Sequence, residues 1–301
     1  MNTQSTGEIW MIRPTHFRMN EQTAVNNHYQ KKSHQSDVEI AFAACREFDA
    51  MVEQLSHIGL IVRIHQPHEC DSPDAVFPNN WISFHSGNRC VLYPMYAENR
   101  RRERLMLPGT PNHGSYHAFD LTKHETNGQF LEGTGSLVLD RIHRVAYAAI
   151  SERTHPSLVK DWCDEMNYGA CLFTAKQNTD QGRCAIYHTN VMMSIGTDFA
   201  AVCLACIDDL REREALYDAL QSTHREIIPL SETQIDSFAG NMLELQGPHG
   251  RVIVMSSTGW GSLNLDQKKR LEYYAEICVV DIPTIEHHGG GSARCMIAEV
   301  F

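Results

Sequence analysis

One short pattern recurs along the chain at a nearly constant interval, and it limits the available folds more than any single residue does. The pattern is a small or amide residue, an apolar strand, a polar turn and a second apolar strand. It appears as Asn80–Phe84 with Cys90–Tyr93, Gly135–Leu139 with Val145–Ala148, Asn190–Ser194 with Ala200–Cys203, and Asn241–Leu245 with Val252–Met255. The stretches between the paired strands, Ser86-Gly87-Asn88, Asp140-Arg141, Gly196-Thr197-Asp198 and Gly247-Pro248, have hairpin chemistry. First strands start at Trp81, Ser136, Val191 and Met242, and Met296 continues the series, at intervals of 55, 55, 51 and 54 residues.

Each hairpin is followed by a helical pattern and a third apolar strand, the order of a ββαβ unit. The helices expected are Asp37–His57, Glu98–Leu105, Pro156–Met166, Asp208–Gln221 and Asn264–Ala275. The third strands expected are Leu60–His65, Tyr116–Leu121, Gly169–Thr174, Arg225–Leu230 and Ile277–Ile282. That makes five units, the fifth hairpin having only its first strand, Met296–Phe301. An unpaired strand, Glu8–Arg13, stands at the other end, and pairing the two would remove the exposed edges. The fold class expected is therefore α/β, a five-bladed β/α propeller of pseudo-fivefold units, closed by its terminal strands. A single domain over 1–301 follows, since no polar linker or low-complexity stretch divides the chain.

In such a ring the residues just before each first strand meet at one mouth. These are Asn79 and Asn80, Glu132, His188 and Asn190, Asn241, and Cys295. Each alone has an ordinary reading, as a turn residue, a cap or a core thiol. Together they bring a thiol, an imidazole, a carboxylate and several amides into one pocket. Cys295 follows Gly289-Gly290-Gly291, whose backbone can turn N–H groups toward an anion, and adjoins Arg294, whose charge would favour a thiolate. That is a setting for covalent cysteine chemistry. His287 and His288 are alternatives to His188 for proton transfer.

Composition narrows the setting. No basic segment followed by an apolar one opens the sequence, and the longest apolar run, Phe199–Ile207, is too short to span a bilayer, so a cytoplasmic protein is expected. Its 10 cysteines are scattered over 301 residues, which fits reduced thiols rather than a disulfide framework. Cys203-x-x-Cys206 lacks the second pair a zinc site would need. A formal charge of −11 makes nucleic acid a poor partner. Arg100-Arg101-Arg102, offset by Glu98 and Glu103, reads as a solvated helix face. Leu107–Gly114 has the Pro and Gly content of a flexible cover or of an ordinary connection.

The motifs Leu131-Glu132-Gly133-Thr134-Gly135, His188-Thr189-Asn190-Val191 and Gly289–Met296 resemble the guanidine-modifying superfamily of arginine deiminases, agmatine deiminases, dimethylarginine hydrolases and amidinotransferases. Ile12-Arg13-Pro14 with Asn26-Asn27, Phe77–Trp81 and Ser151–Thr154 extend the resemblance over nearly the whole chain. Within that group the sequence is most similar to the CtlX-type citrulline-utilisation hydrolases. The resemblance implies a five-bladed β/α propeller, the pentein fold, with Cys295 as nucleophile and His188 as proton shuttle. It implies that Glu132 orients His188 or binds a substrate N–H, that Arg153 grips the substrate α-carboxylate, and that no metal or organic cofactor takes part. Asn20 is an additional pocket amide or a plain loop residue.

Two departures from the deiminase pattern bear on substrate. Thr134 and Gly135 follow Glu132-Gly133, where deiminases carry a second glycine and an aspartate. Where deiminases hold the guanidinium with two aspartates, this chain has Asn79-Asn80 and Asn190. A buried guanidinium requires carboxylates, whereas a neutral ureido group offers a carbonyl acceptor and N–H donors that a carboxamide can match. Citrulline hydrolysis to ornithine, ammonia and carbon dioxide is the leading expectation, with an arginine dihydrolase or deiminase, or a non-catalytic propeller, as alternatives. The partners expected are a small amino-acid substrate and at most a second copy of the chain in a homodimer.

Overall fold

Short apolar strands, the first and second of each set buried nearly throughout, and apolar stripes along helices produce five three-stranded sheets in the computed structural model, which describes residues 3–180 and 182–301. Each sheet has the same order: a first strand antiparallel to the second, and a third parallel to the second. The sets are Ile82–His85, Arg89–Leu92 and His117–Asp120; Val138–Asp140, Val145–Ala149 and Gly169–Phe173; Met193–Ile195, Phe199–Val202 and Glu226–Pro229; and Leu243–Gly247, Gly250–Ser256 and Glu276–Val280. The fifth joins both ends of the sequence: Ala298–Val300 pairs antiparallel with Glu8–Ile12, with Glu8 opposite Val300, and Glu8–Ile12 runs parallel to Ile61–His65.

Between second and third strands the chain crosses over, mostly by helix, as parallel pairing requires. Asp37–His57 begins with a Ser36/Glu39 capping box and buries Ile40, Ala44, Phe48, Met51 and Leu55 along one stripe. Pro156–Met166 starts on a proline, which fits the first helical turn, and turns Leu158, Val159, Trp162 and Met166 inward. Leu210–Ser222 and Leu265–Tyr274 supply two more crossovers.

The crossover expected as an α-helix over Glu98–Leu105 is instead a 3-10 helix, Glu98–Gly109. Its buried residues, Arg100, Glu103 and Met106, recur every third position, which matches three residues per turn rather than 3.6. The basic cluster is therefore not a solvated face. Arg100 is 1% exposed and turns inward. A hairpin with no counterpart in the repeat, Lys176–Thr179 with Gly182–Ala185, lies in the sequence between the set that ends at Phe173 and the set that starts at Met193.

First strands start at 82, 138, 193, 243 and 298, one or two residues after the expected positions. In four of the five sets a single helical turn stands just before the first strand: Pro78–Asn80, Gly133–Ser136, Thr189–Val191 and Ala293–Met296. First strands of neighbouring sets lie side by side, Ala298–Val300 against Ile82–His85 and Met193–Ile195 against both Val138–Asp140 and Leu243–Gly247. The preceding turns therefore gather at one end. Among the described residues no helix is long and apolar enough to cross a membrane.

Candidate active site

The turn Gly133–Ser136 packs on Pro78–Asn80 and on Thr189–Val191, and Pro78–Asn80 packs on Ala293–Met296. Glycine is needed for this approach. Gly133 has φ +48°, and a Cβ there would stand 2.1 Å from the Asn79 carbonyl oxygen; one at Gly135 would stand 2.7 Å from both Asn80 Nδ2 and His188 Nδ1.

The Cys295 thiol, 4% exposed, is held by amides. Asn241 Nδ2 donates to Cys295 Sγ at 3.2 Å and Asn190 Nδ2 at 3.5 Å. Asn241 is itself fixed, its Nδ2 donating also to the Asn190 carbonyl and its Oδ1 accepting from the Arg294 N–H. Asn190 Oδ1 is buried with no hydrogen-bond partner. The Arg294 side chain makes no hydrogen bond to the thiol: it donates to Glu299 at 3.0 Å and to the Ile297 carbonyl, while its charge stays within electrostatic reach of Cys295. Amide dipoles supply the direct contacts to the sulfur.

The glycine run also differs from expectation. Only Gly290 has positive φ, +62°, where it ends the helix Pro283–Gly289, and its N–H is taken by the Glu286 carbonyl. Gly289 and Gly291 are small because Phe77 packs against them. The carbonyls of Gly289 and Gly290 accept from Asn27, Gln30 and Tyr187. Residues 17–31 thus cover this part of the site, whereas the Leu107–Gly114 stretch packs by Gly109 against His65.

Glu132, wholly buried, accepts from His188 Nε2 at 2.8 Å, from the Tyr96 N–H at 3.0 Å, and from Arg153 at 3.5 Å. Burial alone would raise its pKa; Arg153 and the His188 hydrogen bond outweigh burial and hold it at about 2. The carboxylate can only accept, so His188 carries its proton on Nε2, and Nδ1 is left as the acceptor beside Asn80 Nδ2. Burial pushes His188 down to about 4 although Glu132 opposes it, so the imidazole is neutral at pH 7. His188 is oriented by Glu132, whereas the rings of His287 and His288 meet edge to face and His288 Nδ1 has no hydrogen-bond partner. Tyr187 lies between the two halves, within electrostatic reach of both Cys295 and Glu132, with its ring against His188.

Arg153 and Asn20 have other partners here. Arg153 donates from Nε to Asn26 Oδ1 at 3.0 Å, with its Nη2 on the same oxygen and on the Thr23 carbonyl, and its guanidinium lies over Tyr187. The Asn26 oxygen occupies the fork that the resemblance assigns to a carboxylate. Asn20 caps the helix Glu21–Ala24 and donates to Asp74 Oδ2 at 2.9 Å; it does not touch Cys295, His188 or Glu132. Asn79 Oδ1 accepts from Asn80 Nδ2 at 3.1 Å, while Asn79 Nδ2 is buried without a partner. Sequence reasoning missed Asp74, buried with Oδ1 unpartnered, and Arg100, which donates to Asn80 Oδ1 at 2.7 Å. Arg100 was hidden by its charged neighbours, though its three-residue spacing to Glu103 and Met106 was a usable signal. A cavity of about 460 Å³, bordered by Asn26, Glu152, Arg153 and Tyr187, opens outward from Arg153. Cys203 and Cys206 lie 3.3 Å apart in the core, and no group of three or more potential metal ligands occurs among the described residues.

Comparison with known proteins follows the same outline. A sequence family described as N,N dimethylarginine dimethylhydrolase, eukaryotic, matches residues 13–301. The arginine dihydrolase ArgZ of the cyanobacterial ornithine–ammonia cycle, in its apo structure, superposes with a TM-score of 0.75 at 16% identity, covering 97% of this chain and 40% of that one. The chain thus spans well under half the length of that protein. The N-terminal domain of ArgZ, as a mutant bound to substrate, gives 0.72 at 16% identity, with 97% of both chains covered. A dimethylarginine dimethylaminohydrolase adduct with S-methyl-L-thiocitrulline gives 0.66 at 12% identity, covering 99% of this chain and 100% of that one. At these identities the likeness is one of fold. No curated protein sequence matches.

Proposed function

Because the chain belongs to the N,N-dimethylarginine dimethylhydrolase family, within the guanidino-modifying pentein superfamily, we propose that it is a cysteine-dependent hydrolase. Its preferred substrate is citrulline, which it converts with water to ornithine, ammonia and carbon dioxide. The observation that carries this reading is the set of amides around the thiol. Asn190 and Asn241 bond Cys295 directly and Asn80 stands beside His188 Nδ1, where a cationic guanidinium would need carboxylates.

The residues divide the work as follows. His188 Nδ1 takes the thiol proton, and Cys295 Sγ adds to the ureido carbon as the C=O π pair moves onto oxygen. Amide N–H groups receive the oxyanion. His188 then returns its proton to the leaving nitrogen, giving a carbamoyl thioester if ornithine departs first. Water, deprotonated by the same nitrogen, releases carbamate and the thiolate, and carbamate breaks down to ammonia and carbon dioxide. Glu132 keeps the imidazole oriented and stabilises its transient charge. Arg153 takes the α-carboxylate in place of Asn26, and the unpartnered Asp74 Oδ1, steadied by Asn20, takes the α-ammonium. Asn79 Nδ2 is a further donor to the substrate.

The five sheets and the pairing of Glu8–Ile12 with Ala298–Val300 support a closed five-bladed propeller forming one catalytic domain. Ten free cysteines fit a cytoplasmic setting. Incubating purified protein with citrulline, arginine, dimethylarginine and agmatine, and measuring ornithine, citrulline and ammonia, tests the assignment. Ornithine from citrulline alone supports it. Citrulline accumulating from arginine, with citrulline itself inert, overturns it in favour of a deiminase, and ornithine from both substrates makes the protein a dihydrolase.

A further inference from the structure

Arg100 lies outside the reacting group yet touches one of its amides. Its guanidinium is buried, with Nε and Nη2 on the Glu103 carboxylate at 2.8 and 2.9 Å, Nη2 also on the Phe77 carbonyl at 3.1 Å, and Nη1 on Asn80 Oδ1 at 2.7 Å. Glu103 is in turn held by Ser72 Oγ at 2.7 Å. A guanidinium has five N–H donors and no acceptor, so Asn80 can present only its oxygen to Arg100. Its NH₂ must then point the other way, toward Asn79 Oδ1 and the space over Gly135 that it shares with His188 Nδ1. Without Arg100 the amide could rotate by half a turn and present either end.

We propose that Arg100 is a specificity-determining positioning residue: by fixing which end of the Asn80 amide faces the reaction centre, it makes position 80 a hydrogen-bond donor and so selects a substrate whose central carbon bears an acceptor oxygen. The inference rests on the ureido reading and deepens it. A ureido carbonyl accepts from Asn80 Nδ2 and gains from the same donor as its oxygen becomes an oxyanion. A guanidinium offers only N–H groups to that donor and finds no acceptor there. The buried charge of Arg100 adds to this bias, because Glu103 is directed at its far edge while Nη1 faces the site.

The test compares kcat/KM for citrulline and for arginine in the full chain and its variants. R100Q/E103Q removes the guanidinium together with its bidentate carboxylate, leaving Asp74, whose Oδ2 lies 3.9 Å from Arg100 Nε, as the remaining buried charge nearby, and a glutamine at 100 can meet either end of the Asn80 amide. The citrulline-to-arginine ratio should fall about ten-fold or more, the scale of a misdirected hydrogen bond to a charged or charge-developing group, with thermal melting showing a folded protein. R100K keeps a donor-only cation and should hold the ratio near that of the parent even where kcat drops. A ratio that survives in R100Q/E103Q, or that collapses equally in R100K, overturns the proposal. N80A supplies a second reading should the double variant fail to fold: it should depress turnover of citrulline more than that of arginine, and an equal loss on both overturns the role of the donor. A parent chain that does not prefer citrulline defeats the ureido reading itself, and this inference with it, before any variant is compared.

Discussion

Replacing Glu132 by glutamine isolates the electrostatic part of the His188–Glu132 pair. The amide can still accept from Nε2, so the tautomer and the ring position are retained while one buried charge is lost. The Nε2–Oε2 separation is 2.8 Å. This puts the charge centres of an imidazolium and the carboxylate about 4 Å apart, where their attraction at an effective dielectric of 20 is about 4 kcal/mol. A neutral hydrogen bond recovers about 1 kcal/mol of that, leaving about 3 kcal/mol, or about 10² in kcat. KM should change little, because Glu132 contacts the base rather than the substrate. Glu132 also supports the His188 pKa against burial, so the acid limb of the kcat/KM profile should move to lower pH in the variant. Steady-state ornithine release from citrulline between about pH 3 and 8, with melting curves as a control, provides the measurement. A folded variant whose kcat stays within about three-fold of the parent, or whose acid limb moves up, would refute the pairing as the source of His188 function.

Three further outcomes follow from the same geometry. C295A should abolish turnover while melting like the parent, and mass spectrometry of parent protein quenched during turnover should find a carbamoyl or amidino adduct on Cys295; persistent turnover in C295A removes the nucleophile assignment. G135A places a methyl carbon 2.7 Å from both His188 Nδ1 and Asn80 Nδ2, so it should lower kcat by at least about ten-fold while the protein remains folded; unchanged kinetics would mean that neither atom faces the reacting carbon. On acidification, His188 is held below its unfolded value of 6.5 at about 4, and Glu132 below its own of 4.5 at about 2. Both depressed groups lose their contribution as pH falls, His188 between 6.5 and 4 and Glu132 between 4.5 and 2. H188Q should therefore flatten the upper of these two windows in a melting-versus-pH series, and an unaltered slope there would contradict the buried neutral imidazole.

The sheets were legible because hairpin turn residues and strand alternation act locally. Asp37–His57 and Pro156–Met166 were fixed to the residue by a capping box and an N-terminal proline. The short turns before four of the first strands were not legible, since Gly133–Ser136 and Ala293–Met296 are each held by packing on Pro78–Asn80, far away in the sequence. The grouping of His188 with Glu132, and of Asn190 and Asn241 with Cys295, followed from the repeat alone. Charge at Arg100 misled because a local window shows no partner, and Glu103 and Asn80 enclose it; for the same reason the hydrogen bond from Arg294 to Glu299 could not be read. The glycine run looked like an anion cradle, but close approach by Phe77 and a left-handed helix end account for it. The hairpin Lys176–Ala185 breaks the period and had no template to be found by.

Three residues beyond the thiol, Ala298–Val300 lie alongside Glu8–Ile12, so the cysteine is anchored by a contact between the first and last stretches of the sequence. Loop entropy makes such a union one of the costlier steps for a folding polypeptide. The arrangement in which the Cys295 sulfur meets Asn190 and Asn241 therefore depends on a pairing between strands far apart in the sequence. On the proposed function, a species lacking that pairing would have no nucleophile in place.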